Sequence, residues 1–174
     1  MNILKGIKII DLALYLEKEK TLVLSDLHLG IETSFNERGF LIPRFQFKEI
    51  KSRLSKILSQ VNPETIIFNG DLKHEFGRIN QQEWNQILEL LDLLKDKKII
   101  IIEGNHDKIL EPIIIKRNIK LETRYDTKDI TIIHGNIIPD NLKRTIIIGH
   151  EHPAISFRDR PDEKYKCFLK GKYK

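Results

Sequence analysis

Five short apolar runs, each closed by a small polar cluster, constrain this chain more than any other feature. Thr21–Leu24 runs into SDLHLG, Thr65–Phe68 into NGDLKH, Lys98–Ile102 into EGNHDK, Asp129–Ile133 into HGN, and Thr145–Ile148 into GHEHP. The runs are continuous and β-branched rather than alternating, the pattern of strands buried on both faces. Helical patterns lie between them. In RFQFKEIKSRLSKILSQV, residues Phe47, Ile50, Leu54, Ile57, Leu58 and Val61 share one face, and Asn62-Pro63 stops the helix. In NQQEWNQILELLDLLKD the stripe is Trp84, Ile87, Leu88, Leu91 and Leu94, with Asn80 and Glu83 as a capping pair at its start. DKILEPIIIKRN reads as a shorter third helix broken near Pro112. The order is β-α-β-α-β-α and then mostly β, an α/β fold with helices covering buried strands. MNILKGIKIIDLALYLEKEKTLVLSD fits an opening antiparallel pair, KLETRY with ITIIHG a hairpin, and YKCFLKGKY another strand. A second, more antiparallel sheet formed by the ends of the chain is therefore expected.

The 174 residues are enough for one domain with a sizeable core, and no Pro/Gly/Ser linker divides them. No apolar stretch approaches the roughly 20 residues of a membrane helix, and MNILKGIKII lacks the pattern of a signal peptide. Cys167 is the one cysteine, so no internal disulfide forms and a reducing cytoplasm is the expected setting. The net charge of +5 suits a polyanionic partner such as nucleic acid or a nucleotide. The lysines are scattered with no arginine-rich tract, however, so a solvated surface is the simpler reading of them. Nothing in the sequence speaks to oligomeric state.

The histidines are more informative. His28, His74, His106, His134, His150 and His152 all lie just after an apolar run, none of them in a helix stripe. In an open α/β sheet the C-terminal strand ends share one edge, where ligands collect. The six can converge there with Asp26, Asp71, Asn105 and Asp107. In extended chain, residues i and i+2 point the same way. Asp26 with His28, and His150 with His152, can thus reach one metal together, or the latter two can serve adjacent metals. Gly70 permits a sharp turn that leaves the Asp71 carboxylate free to bridge two cations. Imidazole, carboxylate and amide oxygen together suit Mn²⁺, Fe²⁺ or Zn²⁺ more than Ca²⁺. Taken singly, D-x-H or GHEH reads more readily as a surface turn or loop, and Asp107 as the N-cap of the next helix. Five such motifs in order, each at a strand end, do not read that way.

Asp26-Leu27-His28, Gly70-Asp71, Gly104-Asn105-His106-Asp107, His134-Gly135 and Gly149-His150-Glu151-His152 together resemble the motif set of the calcineurin-like metallophosphoesterase superfamily. The resemblance implies a four-layer α/β/β/α sandwich, here a single domain over residues 1–174, with a dinuclear centre. Because the chain stops soon after the last motif, the C-terminal strands are expected to be incomplete. Asp26, His28 and His152 would hold the first metal, Asn105, His134 and His150 the second, and Asp71 would bridge them. Mn²⁺ is the expected metal, with Fe, Zn or Ni as alternatives. His106 would stay off the metals beside the substrate phosphate, and Asp107 would hydrogen-bond to it and set its orientation. Such a pair of ions activates a water for in-line attack on phosphorus, with His106 stabilising the developing charge or protonating the leaving oxygen.

Gly70-Asp71-Leu72-Lys73-His74 further resembles the G-D-L-x-H of the double-strand-break repair nucleases of the SbcD kind, and LSDLHLG resembles that branch and its small archaeal relatives. There the extra histidine, here His74, lies beside the catalytic one and helps position a phosphodiester. The expected function is a phosphodiesterase, nuclease-like, with no membrane partner. A phosphatase or small-nucleotide hydrolase on the same site is the alternative. A non-catalytic scaffold like the retromer subunit of this fold comes third, disfavoured by the retained His106. The DNA-gripping C-terminal segment of those nucleases has no visible counterpart. YKCFLKGKYK is read first as an edge strand protected by lysines, and only then as a nucleic-acid contact.

Overall fold

The computed structural model describes residues 1–173. Seven strands form one mixed sheet, in chain order across it: β1 (Asn2–Leu4), β2 (Ile7–Ile10), β3 (Ala13–Leu16), β4 (Thr21–Leu24), β5 (Thr65–Asn69), β6 (Lys98–Ile102) and β7 (Leu121–Glu122). The first four make an antiparallel meander, and β4 to β7 run parallel. Parallel neighbours need a crossover. It is supplied by α1 (Ile31–Glu37) and α2 (Gln46–Gln60), then α3 (Gln81–Leu93), then α4 (Glu111–Ile114) with a 3₁₀ turn over Ile115–Arg117. A smaller sheet has the order β10-β9-β8, from β8 (Tyr125–Asp126), β9 (Ile130–Ile132) and β10 (Thr145–Ile147). A hairpin of β11 (Ala154–Phe157) and β12 (Arg160–Lys166) follows.

The continuous apolar runs are explained by the two cores. Alternate residues of the central strands face opposite ways. Leu22, Leu24, Ile66, Phe68 and Ile101 meet Leu54 and Ile57 of α2, Ile87, Leu90 and Leu91 of α3, and Ile113. Val23, Ile67, Ile100 and Ile102 meet Ile130, Ile132 and Ile147 of the smaller sheet. The layers are thus helices, large sheet and smaller sheet. After Arg117 the regular elements among the described residues are all strands. Asn80 and Glu83 form a complete capping box at the start of α3.

Three expectations are corrected. The N-terminal strands do not join a second sheet; the meander brings them onto the edge of the large one, because β3 pairs with β4. The region KLETRY is split: Leu121–Glu122 pairs with Ile101–Ile102, while Tyr125–Asp126 pairs with β9. The last strand ends at Lys166 rather than running through YKCFLKGKY, since Phe168 packs against the core between the two sheets and Lys170 Nζ bonds the Ile3 carbonyl at 3.1 Å. The sequence reading also misses α1, a seven-residue helix without a long apolar stripe.

Candidate metal centre

The C-terminal ends of β4, β5 and β6 place the DLH, GD and GNHD motifs side by side, and β9 and β10 bring His134, His150 and His152 to the same edge. Backbone bonds stitch the loops together. The amide of Asp26 bonds the Gly70 carbonyl at 3.1 Å, that of His28 the Asp71 carbonyl at 2.9 Å, and that of Gly149 the His134 carbonyl at 2.8 Å. The side chains converge through left-handed turns rather than extended chain. Asp26, His28, Asp71, His150 and His152 all have positive φ, from 43° to 66°. The expected i, i+2 strand geometry is therefore replaced by five non-glycine residues in a region that costs each about 1–3 kcal/mol. Gly70 and Gly104 have no room for a side chain. A Cβ on Gly70 would collide with the His134 ring, and one on Gly104 with Asp71.

Two groups of side chains have ligand atoms within 4.8 Å of one another: Asp26, His28, Asp71 and His152, and Asp71, His134 and His150. Asp71 belongs to both. Its Oδ1 lies 3.4 Å from His134 Nε2, and its Oδ2 lies 3.7 Å from His28 Nε2. Asn105 Oδ1 lies 3.1 Å from His134 Nε2. His28 Nε2 and His152 Nε2 face each other at 3.3 Å. Two imidazole lone pairs at that distance repel unless a proton or cation sits between them. The donors are nitrogen and oxygen only, and Cys167 is in neither group. This set fits a divalent transition metal.

Burial sets the charges. His28 is pushed down to about 4 by burial, with the neighbouring His106, His152 and His74 adding to this against the pull of Asp71. It is thus neutral near pH 7, the form that can ligate a metal. Burial pushes the Asp71 carboxyl up, but bonds from the His134 ring and the His106 amide outweigh it and hold the group at about 2.

Asp107 does something other than expected. Its wholly buried carboxylate accepts from the amides of Leu72, Lys73 and Gly104 at 3.1–3.3 Å, tying GNHD to GDLKH. The His106 ring is held instead by its Nδ1, which meets the carbonyl of His74. His106 Nε2 then faces Asp71 Oδ2 at 3.8 Å. His28, His74 and His106 form a third group of converging nitrogens, with the His74 and His106 rings stacked at 5.7 Å. Burial, and the nearby His106, lower the pKa of His74.

Several supports were not read from the sequence. Lys73 is wholly buried, and its Nζ bonds the carbonyls of Glu75 and Arg78. Besides capping α3, Glu83 accepts from the amides of His74 and Glu75 at 3.0 and 2.6 Å. Buried Asn69 donates to the Ile133 carbonyl at 2.8 Å, joining the two sheets, and Ser25 Oγ donates to the Asn69 carbonyl at 2.8 Å. Gln46 bonds the carbonyls of Leu27 and His28. The capping box was the one visible hint of Glu83; a lysine between Leu72 and His74 gives no local sign that it is buried.

Comparison with known proteins bears on the fold and the family. No curated protein matches the chain. Among solved structures, the crystal structure of Pseudomonas putida nuclease MPE superposes with a TM-score of 0.71 at 20% identity, over 91% of this chain and 73% of that one. That identity shows a shared fold. The calcineurin-like phosphoesterase model matches residues 19–170, nearly the whole chain and all five motifs. Members of this family are metal-dependent hydrolases of phosphoesters, and this chain belongs to the calcineurin-like phosphoesterase family.

Proposed function

We propose that the chain is a dinuclear metal-dependent phosphodiesterase, a nuclease-like hydrolase. The observation that carries the reading is that one carboxylate, Asp71, belongs to two adjacent ligand groups and turns a different oxygen toward each. In this reading Asp26, His28 and His152 hold one ion, Asn105, His134 and His150 the other, and Asp71 lies between them. Two divalent ions there, Mn²⁺ first among them, supply Lewis acidity and an activated water.

The chain's own residues do the rest. The bond from His106 Nδ1 to the His74 carbonyl fixes the ring so that Nε2 faces the centre. Protonated at Nε2, it donates to a phosphoryl or leaving oxygen. His74 stacks on that ring and adds a second imidazole at the mouth. A diester carries a second esterified substituent that a monoester lacks, and a second imidazole at the mouth has that substituent to orient. Asp107 is a positioning residue that fixes both loops. Among the described residues no helix is long and apolar enough to cross a membrane. A cytoplasmic setting with nucleic acid or a nucleotide as substrate completes the reading.

The test is a substrate panel with Mn²⁺-loaded protein: bis-p-nitrophenyl phosphate, p-nitrophenyl phosphate, a cyclic nucleotide and single-stranded DNA. Diester turnover without monoester turnover is expected. The reverse would make the chain a phosphatase, and no turnover with metals bound would make it a scaffold.

A further inference from the structure

Phe76 is 61% exposed, yet its ring centroid lies 3.6 Å from that of His106, tilted by 35°. One face of the ring covers the imidazole, and much of the remainder is open to solvent. Single exposed apolar residues are ordinary on protein surfaces. What sets Phe76 apart is how firmly its segment is held. Lys73 is buried beneath it and bonds the carbonyls on either side, at Glu75 and Arg78. Glu83, also buried, takes the amides of His74, Glu75 and Asn80. Arg78 pairs with Glu75 at 3.2 Å and with Glu37 at 2.5 Å, so the segment is tied to α1 as well. Burying a lysine and a glutamate under a short loop is costly unless they are paired as these are. The result is a flat apolar ring fixed beside the imidazole that faces the candidate metal centre.

We infer that Phe76 is a specificity residue, the platform on which a nucleobase next to the scissile phosphate stacks. The inference rests on the diester reading and names its substrate class as single-stranded or frayed nucleic acid, whose bases are free to stack. In a nucleic acid each phosphate is one sugar away from a flat π-face, and base–aromatic stacking is tolerant of sequence. The +5 net charge of the chain favours the same polyanion.

The test uses the Mn²⁺-loaded full chain and two probes of equal length and charge: a short oligothymidylate and its fully abasic analogue. Equal charge makes their phosphate contacts alike. The wild type is expected to prefer the base-bearing oligomer by about tenfold or more in kcat/KM, carried mainly by KM. Phe76→Ala should bring the ratio near one, and Phe76→Trp should restore it. If Phe76→Ala slows both oligomers alike and keeps the ratio, the ring only props His106 and the inference is wrong. It is equally wrong if Phe76→Ala changes neither rate. If the wild type cleaves neither oligomer, this inference is wrong, and turnover of bis-p-nitrophenyl phosphate in the same preparation decides whether the diester reading fails with it.

Discussion

The centre has a floor and a rim, and they are built on opposite rules. On the floor, Asn69, Asp71, Asp107 and His134 are each 2% exposed or less. Most of their polar atoms meet backbone groups of the neighbouring loops: Asp107 three amides, Asn69 Nδ2 the Ile133 carbonyl, Asp71 the His106 amide, His134 the Asn69 carbonyl, while Asn69 Oδ1 has no partner. On the rim, Phe76 is 61% exposed, and His74 Nδ1 is buried without a partner. A floor must satisfy its donors, because each buried polar group left alone costs about 1–3 kcal/mol. A rim that meets a ligand keeps some of its donors free. Changes on the floor should therefore act on stability and metal content, and changes on the rim on turnover.

His106→Ala tests the rim most severely. Diester turnover should fall by about 10²–10⁴-fold, the usual worth of a positioned proton donor, while elemental analysis finds the metal content of the wild type. Loss of metal along with activity would move His106 to the floor. Asp107→Ala is the matching change below. It leaves three amides buried without an acceptor, at about 1–3 kcal/mol each. The metal-free protein should melt roughly 6–12 °C lower if the net loss is about 3 kcal/mol. An unchanged melting temperature would mean that the GNHD and GDLKH loops hold their shape without this bridge.

His74→Ala should be milder. Diester cleavage is expected to drop by about tenfold to hundredfold, monoester cleavage less, and bound metal not at all. Equal losses on both substrates would remove His74 from substrate selection. A further effect concerns acid. In the metal-free protein His28 takes its proton at about 4, against an ordinary value of 6.5. The folded state binds fewer protons between those values, so stability is complete above pH 6.5 and is lost as pH falls toward 4. Asp71, held at about 2 against an ordinary 3.8, gives a separate loss below pH 3.8. Urea melts across this range should show that His28→Gln shrinks the first loss, leaving the part that His74 contributes, and keeps the second.

The floor and the rim were not equally legible in the sequence. The ligand candidates were, because a histidine or aspartate at the end of a β-branched run is a local pattern. The two long helices were too, through the 3.6-residue stripes of Leu54 and Ile57 and of Ile87 and Leu91. The local geometry was not. The spacing of D-x-H and H-x-H suggested extended chain, whereas Asp26, His28, His150 and His152 sit in left-handed turns enforced by contacts between distant loops. Asp107 was expected to serve the His106 ring beside it and instead holds amides some 35 residues away in sequence. Strand pairing was legible where a helix intervened and in the antiparallel N-terminal strands, but the choice of sheet was not. The N-terminal meander and the two residues of β7 chose their sheet through pairings that no periodicity announces.

The shared carboxylate is the centre of the account, and counting metal tests it most directly. Wild type and Asp71→Ala, each equilibrated with Mn²⁺ and freed of excess by dialysis, are analysed for ions per chain. Two ions in the wild type and a loss of bound metal in Asp71→Ala are predicted. One ion or none in the wild type, or two retained by Asp71→Ala, would contradict a dinuclear centre joined through Asp71.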